Sequence, residues 1–274
     1  MPIISMRRLK GRIRLSGKDT LIKLLVGAVA LVLFLVAWQL FADSANTEYL
    51  PTPIEVLNAF VDSFSTKDPS SGVTMGKSIE SSLSRFILGT FLAIGLAIPL
   101  GLAMGFFPLA NAFGKPLIEI FRPIPPIAWV PFLFIVAGVL WGPVITIFLG
   151  VFFPVLSNVM FGASSVEPQL IDAAKTMGAR KPTLFTRVVM PYTIPYLMTG
   201  IRIGLGIGWM CIVAAEMIAT RGGGVGQFIR NNADIGRYDY MFAGMVMIAI
   251  LGIVTVESAS YIERRVSRWM GAKR

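Results

Sequence analysis

The chain has 274 residues, 55% of them hydrophobic and 15% charged, with a mean hydropathy of +0.72. A soluble domain carries about 25% charged residues, so this composition excludes an ordinary globular enzyme and indicates a protein embedded in lipid. The net charge of +10 does not indicate nucleic acid, since no soluble fold carries a basic face; with no histidine and a single cysteine, Cys211, an internal disulfide, His/Cys metal sites and any His-dependent triad are excluded. Cys211 lies in an apolar run and reads as a small buried hydrophobe.

A helix needs about 20 apolar residues to cross the hydrocarbon core. The first charge-free run is 24–42, behind a lead rich in arginine and lysine. It exceeds the roughly 7–15 residues of a signal-peptide core and is read as a span that is retained. Thr52-Pro53-Ile54-Glu55 is a capping-box pattern with proline at the first helical position, which predicts a short helix outside the membrane. The run 86–114, with 86–107 as its apolar heart, predicts a second span. The run 123–166 is too long for one crossing; Trp141-Gly142-Pro143 is a turn signal with an interfacial aromatic, which predicts helices over 125–140 and 144–163. A fifth span is predicted over 193–219 and a sixth over 240–261, so both termini share one side. Arg7, Arg8, Lys10, Arg12, Arg14, Lys18 and Lys23 precede the first span. Lys175, Arg180, Lys181 and Arg187 follow the fourth, and Arg264, Arg265, Arg268, Lys273 and Arg274 close the chain. Between spans one and two, acidic Asp43, Glu48, Glu55, Asp62, Asp68 and Glu80 outnumber Lys67, Lys77 and Arg85. The positive-inside rule then places both termini and the loop at Asp172 in the cytoplasm, and the basic flanks against anionic lipid.

The segment after span four is polar and charged between apolar runs. Pro168 suits a first helical turn and Gly178 the position past a helix end, which predicts a helix over 169–177. Leu170, Ile171, Ala174 and Met177 then share one face, away from Asp172, Lys175 and Thr176. Such a stripe fits a partner's groove, or lies on lipid headgroups. Pro123, Pro125, Pro126 and Pro131 remove backbone donors within membrane-depth sequence. Broken backbone there is tolerated where it borders a cavity; the cluster either borders a path or kinks the third span. Arg122 beside it reads as an inside flank or an attractor of anions. A carboxylate at Glu216 costs about 2.5–3.5 kcal/mol in hydrocarbon, so it faces protein or water, as a gate or path residue or as a partner of Arg221. Arg202 lies about four turns away on the same helix and is out of its reach. Gly200, Gly204 and Gly208 make a small-xxx-small face for close helix packing.

Asp172-Ala173-Ala174, three residues, Gly178, nine residues, then Val188-Val189-Met190-Pro191 resembles the "EAA loop" of ABC importer permeases, with Asp for Glu, Val for Ile and Met for Leu. Phe121 to Pro131, Trp209 to Ile218 with Gly224-Val225-Gly226, and Leu50-Pro51-Thr52-Pro53-Ile54-Glu55-Val56 are similar to stretches of the nitrate, sulfonate, taurine and bicarbonate importers. The resemblance implies an all-α membrane protein of the type I importer permease fold, with a permease domain over 24–268 between a basic segment, 1–23, and a tail, 269–274. It implies a second permease copy, most simply a homodimer, cytoplasmic ATPase subunits that hold the ATP and Mg, an external or periplasmic solute-binding protein, and residence in the cell membrane. Asp172, Ala173, Ala174, Met177, Gly178 and Pro191 would couple to the ATPases. Arg122, Pro125, Pro126, Trp129, Trp209 and Glu216 are candidates for the path or its gate, and the substrate class is a small anion.

The chain itself is expected to hold no cofactor and to catalyse nothing. Gly76-Lys77-Ser78 mimics the end of a phosphate-binding loop, but Ser71 stands where that motif needs its first glycine. Gly204, Gly206 and Gly208 miss the dinucleotide fingerprint by one residue. The alternative from another class is a self-sufficient ion-coupled carrier or channel, which would transport unaided and rely on paired intramembrane ionisable groups.

Overall fold

The computed structural model of the chain describes residues 17–45, 47, 49–219 and 223–269, all helix and connection with no strand among them. Arg7, Arg8, Lys10, Arg12, Arg14, Glu48, Arg221, Lys273 and Arg274, each of which figured in the reading above, lie outside the described residues. Among the described residues, five helical stretches are long and apolar enough to cross a membrane: Leu21–Ala45, Met75–Phe106, Pro126–Ser164, Lys181–Ile218 and Tyr238–Val266.

The chain divides into two compact units, Met1–Glu55 and Val56–Arg274. In the first, α1 (Gly17–Ala45) exposes Leu31, Phe34 and Phe41, as a helix with its backbone bonds satisfied internally can do in lipid. Trp38 Nε1 donates to the Pro51 carbonyl at 3.1 Å. The capping box forms as predicted: Thr52 N–H donates to the Glu55 carboxylate at 2.8 Å and Glu55 N–H to Thr52 Oγ1 at 3.4 Å, starting α2 (Pro53–Asp62).

The second unit is a bundle of α3 (Met75–Phe106), α5 (Val130–Ser164), α8 (Met190–Ala219) and α10 (Tyr238–Trp269). Phe86, Ala93, Ile147, Val151, Val155, Val159 and Ile212 form its core. At one end, Met75 packs with Val225, Phe228 and Ile229 of α9 (Val225–Asp234). Asp68 binds the side-chain amides of Asn231 and Asn232 there. Asp62 accepts from Tyr240, which holds its carboxyl below the usual range. At the other end lie α4 (Pro108–Phe121), α6 (Pro168–Thr176) and α7 (Lys181–Leu184). Neither α4 nor α9 was anticipated from the sequence; Pro108 ends α3 and opens α4, dividing the run 86–114.

The turn expected at Trp141-Gly142-Pro143 falls instead at Gly138, the residue inside α5 with left-handed φ (73°). A Cβ on Gly142 would stand 3.3 Å from the Phe134 ring, eight residues before it. Trp129 and Phe153 line one cavity although 24 positions, about 36 Å of straight helix, separate them. The chain therefore doubles back at Gly138.

Gly200, Gly204 and Gly208 face α5 within the subunit. A Cβ on Gly200 would meet Asn158 Cβ at 2.9 Å and one on Gly204 would meet Val151 Cγ1 at 3.1 Å. Gly200→Leu is expected to destabilise the fold by at least the roughly 1–3 kcal/mol typical of overpacking, read as a lower unfolding temperature in detergent.

Candidate functional site

At one end of the bundle the predicted polar helix forms. Pro168 occupies its first turn, Ala174 is 7% exposed, and the half-buried Ile171 packs against the bundle core. Asp172, Ala173, Lys175 and Met177 face away, with Met177 82% exposed. Leu170 and Met177, grouped with Ala174 by periodicity, therefore belong to the free surface, because the stripe is wider than the contact. The helix ends in a Schellman motif: Gly178 N–H donates to the Lys175 carbonyl at 2.8 Å and Ala179 N–H to the Ala174 carbonyl at 3.0 Å. Gly178 has φ 85°, and a Cβ there would meet nothing within 4 Å. The result is a short, firmly terminated helix with an exposed apolar and charged face.

The chain returns to the bundle through a π turn, Phe185–Val189, in which Met190 N–H reaches back to the Phe185 carbonyl. Pro191 follows in the first turn of α8 and is exposed. In a regular α-helix its ring would collide with the carbonyl of residue 187; the wider π turn relieves that clash.

Glu216, 1% exposed, lies at the opposite end of the bundle. Its carboxylate accepts from Arg85 Nη1 at 2.8 Å, Ser82 Oγ at 2.8 Å and Gly226 N–H at 3.0 Å. Arg85 also donates to the Gly223 carbonyl at 2.8 Å, and Val225 N–H donates to Ser82 Oγ at 2.9 Å. The glycines are needed here: a Cβ on Gly224 or Gly226 would fall 2.5 Å or 2.8 Å from Glu216. Arg85, on α3, is the partner that sequence reading did not name. The available signal was its place eleven residues into a helix that begins at Met75 rather than after the last charge. Arg202 instead pairs with Glu263 of α10 at 3.2 Å.

The remaining path candidates separate. Trp209 is buried, stacked on Phe86 at 4.4 Å between centroids, and its Nε1 donates to Thr255 Oγ1 at 2.8 Å. Pro126 and Trp129 border a cavity of about 260 Å³ with Phe121, Phe132, Leu133 and Phe153, all without charge. Pro125 precedes its 3-10 turn, Pro126–Trp129, and Arg122 is exposed at the end of α4. The structure thus does not bring Trp209 and Glu216 together with Arg122, Pro125, Pro126 and Trp129 in one site.

Residues 89–268 match the family model described as "binding-protein-dependent transport system inner membrane component". The chain belongs to this family. It is 35% identical to a putative ABC transporter permease protein of Methanocaldococcus jannaschii, over 94% of this chain and 95% of that one. It is 34% identical to the taurine transport system permease protein TauC of Escherichia coli, over 97% and 95%. Against the nitrate import permease protein NrtB of a Synechocystis species, identity is 28% over 88% of each. An inward-facing structure of the MetNI methionine ABC transporter shares the fold, with a TM-score of 0.61 over 70% of this chain and 95% of that one at 20% identity. The chain is a multi-pass membrane permease subunit of an ABC importer, in the group of nitrate, sulfonate and taurine permeases, and it works with ATPase partners.

Proposed function

We propose that the chain forms half of a translocation path for a small anion such as nitrate, taurine or another sulfonate, or bicarbonate. Two copies assemble it, and an external or periplasmic solute-binding protein delivers the anion. Supporting the substrate class are the taurine, nitrate and aliphatic sulfonate permeases among its relatives. The reversal at Gly138 supports six crossings, with the Asp172 loop and both termini in the cytoplasm and the chain in the cell membrane. Basic Lys175, Arg180, Lys181, Arg187, Arg264 and Arg265 sit on that side.

The observation that carries the reading is α6, with Ile171 packed against the bundle core and Ala174 buried, yet presenting Met177 and Asp172 outward. An apolar-striped helix on a rigid base fits a groove in an ATPase subunit. The ATP and Mg sit in those partners, whose closure on nucleotide moves the 168–191 segment. That closure favours the outward-open state only by its differential affinity for it. Arg122, Pro125, Pro126 and Trp129 border the path, whereas Glu216 and Trp209 act on the gate indirectly, by fixing the outer turn and the packing of α8. The test is reconstitution: liposomes holding this chain with its ATPase and binding protein should take up labelled taurine or nitrate only with ATP. Uptake by the chain alone would instead establish a self-sufficient carrier.

A further inference from the structure

Phe185 opens the π turn between α7 and α8. Its ring centroid lies 5.3 Å from that of Phe106 and 6.1 Å from that of Phe107, and those two rings stand edge to face at 4.8 Å. Phe106 ends α3, and Phe107 is the extended residue (φ −103°, ψ 115°) on which the chain turns into α4. The same end of α3 is pinned to α5, since a Cβ on Gly105 would stand 2.5 Å from Ala163 Cβ and 2.6 Å from the Met160 carbonyl. Leu184 and Val189, on either side, are buried. The segment beyond α6 therefore meets the bundle through buried Leu184 and Val189 and through one large ring, Phe185, set against a two-residue joint. It does so from a π turn, a helical irregularity frequent at functional sites.

We propose that Phe185 is a positioning residue that passes displacement of the 168–184 segment to the α3–α4 joint, by ring packing against Phe106 and Phe107. The inference rests on the reading that this segment docks the ATPase. Coupling between two sites can be carried by a chain of packed side chains, and the aromatic trio supplies one that bypasses the backbone connection through α8. α4 is the element placed to respond: its Leu109 and Phe113 are largely exposed, and it carries no buried residue.

The experiment uses the full complex of this chain with its ATPase subunits, with a bimane fluorophore on Leu109→Cys at the start of α4. Adding ATP, Mg and vanadate should shift the bimane emission. Phe185→Ala should remove most of that shift while the ATPase subunits still co-purify and hydrolyse ATP, and Phe185→Tyr should restore it. A full shift in Phe185→Ala, or no shift in the parent complex, overturns the relay. Loss of the ATPase subunits in Phe185→Ala also overturns it, making Phe185 part of the docking surface or the fold. The docking reading is separated by Gly178→Trp, which should lose the ATPase subunits; if it keeps them, docking fails whatever Phe185 does.

Discussion

Arg85→Met should lower the stability of the folded chain by about 3–5 kcal/mol, the cost of removing one partner from a buried ion pair. Glu216 would keep Ser82 and Gly226 as donors but lose the Arg85 charge at 2.8 Å, and the Gly223 carbonyl would lose the Arg85 donor as well. Glu216→Gln should be milder, because the Arg85 side chain retains 11% exposure and a path to water, and the glutamine oxygen still accepts. The double variant should recover part of the loss, since the buried carboxylate charge and the guanidinium charge are then removed together. Thermal unfolding in detergent, as a double-mutant cycle, reads each term. A single-variant loss below about 0.5 kcal/mol for Arg85→Met, within the range of ordinary surface substitutions, would show that the pair contributes nothing to holding the Gly223–Gly226 stretch on α3.

Gly178→Trp should leave insertion intact and the chain folded while abolishing association with the ATPase subunits. Within the subunit an added side chain meets nothing within 4 Å, so bulk itself is tolerated. The φ of 85° costs an ordinary residue about 1–2 kcal/mol, paid at an exposed helix end. Gly178→Ala carries the same backbone cost without the bulk and is the control: it should retain the ATPase subunits. If both variants fail alike, the Schellman end matters and not a fitted partner surface. If Gly178→Trp transports normally, the face at α6 is not where the ATPase sits.

The membrane class, the presence of long apolar helices, the capping box at Thr52 and the helix over 168–176 with its glycine stop were legible in the sequence. Each depends on local chemistry, such as apolar run length, a proline at a first turn or a glycine with left-handed φ, and needs no distant neighbour. The reversal within 123–166 was legible in kind but not in place. Trp141-Gly142-Pro143 and Gly138 are both turn signals, and only packing of Phe134 on Gly142 selects between them. The glycine stripe on α8 was legible as a close-packing face, while its partner, α5, emerged from the fold.

What the sequence by itself determined is a chain that must live in lipid and that carries a polar helix between apolar spans, because burial of apolar surface and helix termination are set by neighbours along the chain. Only the tertiary structure decided that Arg85 meets Glu216 from 131 residues away, that Arg202 belongs to Glu263, and that Phe185 rests on the α3–α4 joint. A buried charge demands a partner but does not say which, and the choice among distant arginines is made by the packing of α3, α8, α9 and α10 around one core.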